Sequence, residues 1–475
     1  MASTEATAVI AAACGGGTHI LVFPYPAQGH MLPLLDLTRQ LSLHHGLSIT
    51  IATTPKNLPL LSPLLSSSPS IQPLILPFPS HPSIPPGIET CKELPSYFIP
   101  MTHVLSFLHD PLLHWFRSQP NPPLPSSPTS FSVGLNALPP NSASPRRLLP
   151  SGALALSTIH FLWRTMSKNP NPDDDGFPIT FHGIPGSPTF PWYQTSSFYR
   201  SFKEGDPVSD SIRDGFLGNM ASWGFVFNTF DDLEGSYLRH VREDLGHERV
   251  WAVGPLSASS TRAEEEAPTE LIRWLDTCEE GTVVYVCFGS QATLTWEQAE
   301  ALGTGLERSG ARFVWCVRAT SAVPDEGFER RVKGRGVVVR GWAPQVALLS
   351  HRAVGSFLTH CGWNSVLEAV VAGVVMLTWP MGADQFINAR LLKEVGVAVG
   401  MSEGSNSVPY PDELARVVAE SVDPSRNQRK RALELREKAL KAVKQGGSSF
   451  RDLEGFVQAL RKPSQENNNI YILRE

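Results

Sequence analysis

W-A-P-Q-V at residues 342–346, T-H-C-G-W-N-S-V-L-E-A at residues 359–369 and W-P-M-G-A-D-Q at residues 379–385 form the stretch that decides the fold. Val354–Thr359, just before its middle piece, is an apolar run bounded by turn residues, which suits a buried parallel strand. A glycine-containing turn follows, then a helical pattern through Val366, Leu367, Ala369 and Val370. Strand, turn and helix start make an anion cradle, because the first N–H groups of a helix are unpaired and its dipole favours negative charge there. Asn364 and Ser365 are residue types that cap helices or donate to phosphate oxygens. Glu368 lies one turn on, on the side of Ser365, placed to accept from a ribose hydroxyl. A capped core helix after a tight turn reads equally well from this piece alone.

The flanks add weight to the ligand reading. Trp342-Ala343-Pro344-Gln345 follows the strand Gly336–Arg340, and Asp384-Gln385 follows the apolar run Val374–Trp379. Indole, amide and carboxylate thus fall just past the carboxyl ends of strands, where open α/β sheets bind nucleotides. Packing alone gives no reason for three such ends to carry these groups.

The block resembles the signature box of plant family-1 UDP-glycosyltransferases in length and at nearly every diagnostic position. The resemblance implies an α/β GT-B fold, two Rossmann-like doubly wound domains facing a central cleft, and inverting transfer from a UDP-sugar to a small-molecule hydroxyl. It places Trp342 against uracil with Ala343 and Gln345 beside it, Glu368 on the ribose, and His360, Asn364 and Ser365 on the diphosphate. Trp363, Asp384 and Gln385 face the sugar, and the final Gln goes with glucose donors. Ser290, in the Gly289-Ser290 turn after the strand Thr282–Phe288, is assigned to the diphosphate.

A chain of 475 residues is long for a single core, so two domains are expected. The expected layout is an acceptor-binding domain at 1–256, a charged linker at 257–268, a UDP-sugar domain at 269–455, and a helix and tail at 456–475 returning to the first domain. The first half opens β-α-β, with His19–Phe23, a helix carrying Leu32, Leu34, Leu35, Leu37 and Leu41, and Ser48–Thr53. Later strands are expected at Gly224–Asn228, Arg249–Val253 and Arg312–Arg318, and a last helix through Phe450, Leu453, Val457 and Leu460. Net charge −5 argues against a nucleic-acid partner. Six scattered cysteines without C-x-x-C spacing read as reduced thiols. With no basic, apolar leader and no run long enough to span a bilayer, a cytoplasmic protein is expected; a monomer is expected as well, and the resemblance implies a UDP-sugar donor without cofactor. Arg426–Arg431 reads as a solvated helix face. Asp173-Asp174-Asp175 matches the D-x-D pattern of metal-dependent transferases but sits in a Pro/Asn-rich loop, so no metal is expected.

Pro26-Ala27-Gln28-Gly29-His30 lies where the first strand hands over to its helix. A histidine there suits either a helix cap or a general base that takes a proton from an acceptor hydroxyl. The family's N-terminal motif implies the base. Relatives place an Asp behind it about a hundred residues later, at a strand end. Residues 120–150 contain no Asp or Glu, and read as a Pro/Ser-rich segment without the expected apolar strand and amphipathic helix. Family-like sequence resumes at Pro150-Ser151-Gly152. With each codon started one nucleotide earlier, Ser127–Pro145 become S-D-F-F-L-G-W-T-Q-R-L-A-A-E-L-G-V-P for permissible codons, and the Asp codon straddles Pro128 and Thr129. A local frameshift, in the gene model or in the gene, accounts for the segment better than an insertion. It implies poor order across 120–150 and weak turnover by the chain as written. Two rivals follow: a UDP-sugar-binding protein without chemistry, and a UDP-sugar epimerase, for which no acid-base pair is found.

Overall fold

The computed structural model describes residues 18–91, 98–119, 124–128, 146–149, 151–220, 222–259, 267–318, 321–324 and 327–461. In chain order its strands begin with β1 (Thr18–Phe23), β2 (Leu47–Thr53), β3 (Ile71–Ile75), β4 (Leu124–Pro128) and β5 (Arg146–Leu149). The pair β6 (Pro178–Thr180) and β7 (Thr189–Pro191) comes next, then β8 (Gly224–Phe227) and β9 (Val250–Ala252). The last six are β10 (Val283–Cys287), β11 (Arg312–Val317), β12 (Gly336–Arg340), β13 (Val354–Thr359), β14 (Val375–Thr378) and β15 (Ala398–Gly400). One sheet runs β3-β2-β1-β4-β5-β8-β9, another β12-β11-β10-β13-β14-β15, and β6-β7 is a small antiparallel pair. In both large sheets the order reverses beside the first strand, which gives each a topological switch point.

Two compact units divide the chain: 1–148 with 214–225 and 453–475, and 149–213 with 226–452. In the first unit Leu21 and Phe23 of β1 bury against Met101, Val104, Leu105, Leu108 and Leu112. The helix Gln28–Ser42 buries Met31, Leu34, Leu35, Leu37 and Leu41, so Met31 replaces Leu32 on the expected apolar side. From residue 453 the last helix (Ser448–Arg461) also belongs here: Glu454 lies 3.7 Å from His44, and Arg461 donates to the His45 carbonyl at 2.6 Å.

The segment expected to lack a strand supplies two, β4 and β5. β4 lies parallel to β1, pairing Ile20 with Leu124, Leu21 with Pro125 and Phe23 with Pro128. An open edge of β1 would leave a row of backbone donors and acceptors unpaired, and even L-P-S-S-P fills part of it. Pro125 and Pro128 carry no N–H, so β4 gives its neighbours fewer hydrogen bonds than an ordinary central strand. Residues 120–123, 129–145 and 150 lie outside the described residues, as do 260–266 of the expected linker.

In the second unit β10 is parallel to both β11 and β13. Val284, Val286, Phe313, Trp315, Leu358, Leu377 and Trp379 form a core that the helix Trp296–Ser309 covers with Ala299, Leu302 and Leu306. Thr295 and Gln298 close that helix's N-terminus as a capping box, satisfying two of its free donors reciprocally.

The basic run 426–431 keeps its solvated face at Lys430 and Arg431, which are exposed. Arg429 departs from it: it is half-buried and donates to the Gly355 carbonyl at 3.3 Å, and a Cβ on Gly281 or Gly355 would run into its guanidinium. Arg431 fits the same way over Gly396, the left-handed C-cap of the helix Gln385–Val395. Cations suit helix C-termini because the last carbonyls are unpaired. Gly281 and Gly310 share φ +70°, but nothing stands within 4 Å of a Cβ on Gly310. Gly310→Ala should therefore cost about 1 kcal/mol from backbone strain, and Gly281→Ala more. In an Arg429→Ala background the two should cost the same, a cycle that denaturant melts measure.

Candidate functional site

At the second switch point, the carboxyl ends of β10 and β13 bring Gly289 and His360 together. Gly289 has φ +74°, and a Cβ there would lie 2.7 Å from Cε1 and Nε2 of the His360 ring. Gly362 faces the same ring, its Cβ position 2.5 Å from Nε2. Only glycine on both sides leaves room for the imidazole. His360 Nδ1 is buried and has no hydrogen-bond partner among the described residues. Burial pushes its pKa down to about 4, so the ring is neutral at pH 7 and one nitrogen is left for a ligand. Ser290 directly follows Gly289 in the same turn.

Cys361 next takes φ +64°, unusual for a non-glycine residue, and turns the chain into the helix Trp363–Ala372. The cap is Gly362, and no side chain caps the helix. Asn364 and Ser365 are thus not caps, as their types suggest, but lie in the first turn, whose backbone N–H groups point outward. Trp363 is 3 % exposed and its indole N–H donates to the Asn228 carbonyl at 2.8 Å. What it offers a ligand is its backbone N–H at the helix start. Gln345 Nε2 donates to Ser365 Oγ at 3.0 Å and to Glu368 Oε2 at 2.8 Å, so three expected site residues meet through one amide. Trp342, just past β12, is 59 % exposed beside the buried Ala343. An exposed indole next to that amide suits stacking of a planar base.

Asp384 follows Ala383, itself at φ +52°, at the start of the helix Gln385–Val395. Burial raises its pKa, and hydrogen bonds from the Asn388 and Ser151 side chains pull it back. Asn388 also donates to the Cys361 carbonyl at 3.0 Å, which links Asp384 to the turn beside His360. Gln385 Oε1 accepts from the backbone of Met381 at 2.8 Å and of Gly382 at 3.1 Å, holding the loop in shape.

In the first unit, His30 lies in the first turn of its helix. Ala27 is the cap, the helix has no side-chain cap, and the His30 ring sits 5.2 Å from Tyr25. Burial pushes its pKa down to about 3. β4 ends at Pro128 beside Phe23 of β1, so the point where an acid is expected stands at this sheet's switch point; Thr129 lies outside the described residues. Asp173–Asp175 form a loop in which Asp174 accepts from the Gly176 backbone at 2.8 Å. Among the described residues, no group of three or more metal-binding side chains is found.

The family described as UDP-glucoronosyl and UDP-glucosyl transferase matches residues 253–410. The flavonol 3-O-glucosyltransferase of Arabidopsis thaliana is 51 % identical, over 93 % of this chain and 96 % of that one. UDP-glycosyltransferase 89B2 of Stevia rebaudiana is 50 % identical over 94 % and 98 %. Among solved structures, Arabidopsis thaliana UGT89C1 complexed with UDP-L-rhamnose is 39 % identical, with a TM-score of 0.78 over 94 % of this chain and all of that one. The chain belongs to the plant family-1 UDP-glycosyltransferases.

It is a glycosyltransferase with the GT-B fold. No helix among the described residues is long and apolar enough to cross a membrane. What the sequence did not disclose in this glycosyltransferase are the groups that hold the box: Asn228 under Trp363, Asn388 between Asp384 and Cys361, and the glycines around His360. Gly289 and Gly362 carried the available signal, since paired glycines at strand ends mark close approach.

Two outcomes follow. Gly289→Ala should displace the His360 ring and weaken UDP binding at least tenfold by calorimetry, with the fold intact by circular dichroism. The folded His360 pKa lies below the unfolded value near 6.5, so the unfolded chain binds more protons between about 4 and 6.5. Stability is then complete above pH 6.5 and is lost as pH falls towards 4. His30 and His160, pushed to about 3 by burial, act with the same sign. His360→Asn should reduce the loss between pH 7 and pH 5 by up to about 2 kcal/mol in denaturant melts.

Proposed function

We propose that this chain transfers glucose from UDP-glucose, with inversion and without metal or cofactor, to a hydroxyl of a small phenolic acceptor such as a flavonoid. The observation that carries this reading is the second switch point. There a neutral, half-buried His360 whose Nδ1 is buried and unpartnered adjoins the uncapped start of the helix Trp363–Ala372. That arrangement favours a diphosphate. Trp342 stacks on the uracil with Ala343 and Gln345, Glu368 takes the ribose, and His360, Asn364, Ser365 and Ser290 take the diphosphate. Trp363, Asp384 and Gln385 serve the sugar. Glucose is supported by Gln385 and by the relative named as a flavonol 3-O-glucosyltransferase. The flavonol 7-O-rhamnosyltransferase of Arabidopsis thaliana, a second possible model for the donor, is less similar at 40 % identity. Acceptor binding is assigned to residues 1–256 and donor binding to 269–455, in a cytoplasmic monomer.

In this reading His30 is the general base. A base protonating near 3 is neutral at pH 7 but takes a proton weakly, and a nearby carboxylate would strengthen it. Residues 120–150 hold no Asp or Glu. That favours a second reading, a UDP-sugar-binding protein with impaired chemistry, in which a frameshift removed the acid from the end of β4.

The chain as written should bind UDP while turning over a flavonol on the order of 10³–10⁴-fold more slowly than a chain with 127–145 restored to the shifted frame. Calorimetry and product chromatography on both chains test this. Equal turnover, or an in-frame transcript that reads as written in an active enzyme, would remove the frameshift; absence of UDP binding would remove the donor assignment.

A further inference from the structure

Glu234 stands outside the signature box, yet it is 1 % exposed and has non-helical angles (φ −130°, ψ 19°) that kink its own helix. Its carboxylate accepts from the backbone N–H of Ala153 (Oε2) and of Leu154 (Oε1), both at 3.0 Å, eighty residues upstream. Those donors open the helix Ala153–Thr165, whose cap is Gly152 and which no local side chain caps. A Cβ on Gly152 would lie 2.6 Å from Oε1 and 2.7 Å from Oε2, so the turn closes on the carboxylate only because residue 152 is glycine. A local Ser or Asp cap would satisfy the same donors without burying a charge. The costlier device has a consequence that a local cap lacks. It fixes the Ser151-Gly152 turn to the segment 228–234, and that segment also receives the indole N–H of Trp363 through the Asn228 carbonyl. The helix that this turn opens packs against the helix Gln385–Val395 that Asp384 precedes; there the Ser151 hydroxyl favours the charged form of Asp384, and Asn388 donates to the Cys361 carbonyl.

We propose that Glu234 is a positioning residue for recognition of the donor sugar: it clamps the Ser151-Gly152 turn, and Ser151 orients Asp384. The inference rests on the reading of Asp384 as a sugar-facing group. Glu234 touches no substrate, and it acts on the sugar end of the site rather than on the base or diphosphate end. Glu234→Gln keeps the shape but offers one acceptor oxygen to two N–H donors. Gly152→Ala displaces the carboxylate without changing charge. Ser151→Ala removes a single hydroxyl from the link and leaves the clamp in place.

The test is calorimetric binding of UDP and of UDP-glucose to the full chain and to these three variants, with folding checked by circular dichroism. UDP affinity should stay within about twofold in each variant. UDP-glucose affinity should fall at least tenfold, and the preference for UDP-glucose over UDP-galactose should narrow. Equal loss of UDP and UDP-glucose would reduce Glu234 to a part of the fold and overturn the proposal. No loss of either ligand in Ser151→Ala and Glu234→Gln would overturn it as well. A parent chain that binds neither ligand would instead overturn the donor assignment beneath it.

Discussion

Close approach at a sheet's switch point governs this molecule. β10 and β13 are neighbours whose following segments leave in different directions, and the gap past their carboxyl ends is filled by one imidazole ring between two glycines. The candidate nucleotide site of the second unit is built around that gap. The left-handed turn at Gly289 opens one side, and the strained Cys361 swings the next helix so that its uncapped start faces the same space. Strain at Cys361 and Ala383 persists because surrounding bonds hold it, among them Asn388 on the Cys361 carbonyl.

The first sheet repeats the topology with a different outcome. β1 and β4 meet at its switch point, and His30 enters from the helix that follows β1. A half-buried imidazole whose pKa desolvation pushes down to about 3 is a scaffold for a base more than a base in itself. The segment that would complete it has two prolines in a five-residue strand and no carboxylate from 120 to 150. The two sheets share a switch-point topology, and they differ in the residue types that the sequence supplies beside it.

Strands with uninterrupted apolar runs were legible: Gly336–Arg340 and Val354–Thr359 match residue for residue, and Val283–Cys287 and Val375–Thr378 differ from expectation by one residue at each end. Strands without that signal were not. β3 reads I-Q-P-L-I with a proline in its middle, β15 is only A-V-G, and β4 is L-P-S-S-P. Their places come from the open edges of neighbours, which a local window does not contain. The candidate site was legible at the level of residue types because its groups fall just past strand ends. The amide of Gln345 bridging Ser365 and Glu368 was half visible in that pattern. The roles of Asn228, Glu234 and Arg429 were not, since each works through a contact at least 74 residues away, and such contacts leave no periodicity to read.

The central claim is that the second switch point holds the diphosphate of a UDP-sugar. A crystal structure of the chain soaked with UDP-glucose tests it most directly. The account predicts phosphate oxygens within hydrogen-bond distance of His360 and of the backbone N–H groups that open the helix Trp363–Ala372, with the uracil on Trp342. A nucleotide bound elsewhere, with His360 and that helix start untouched, would contradict it.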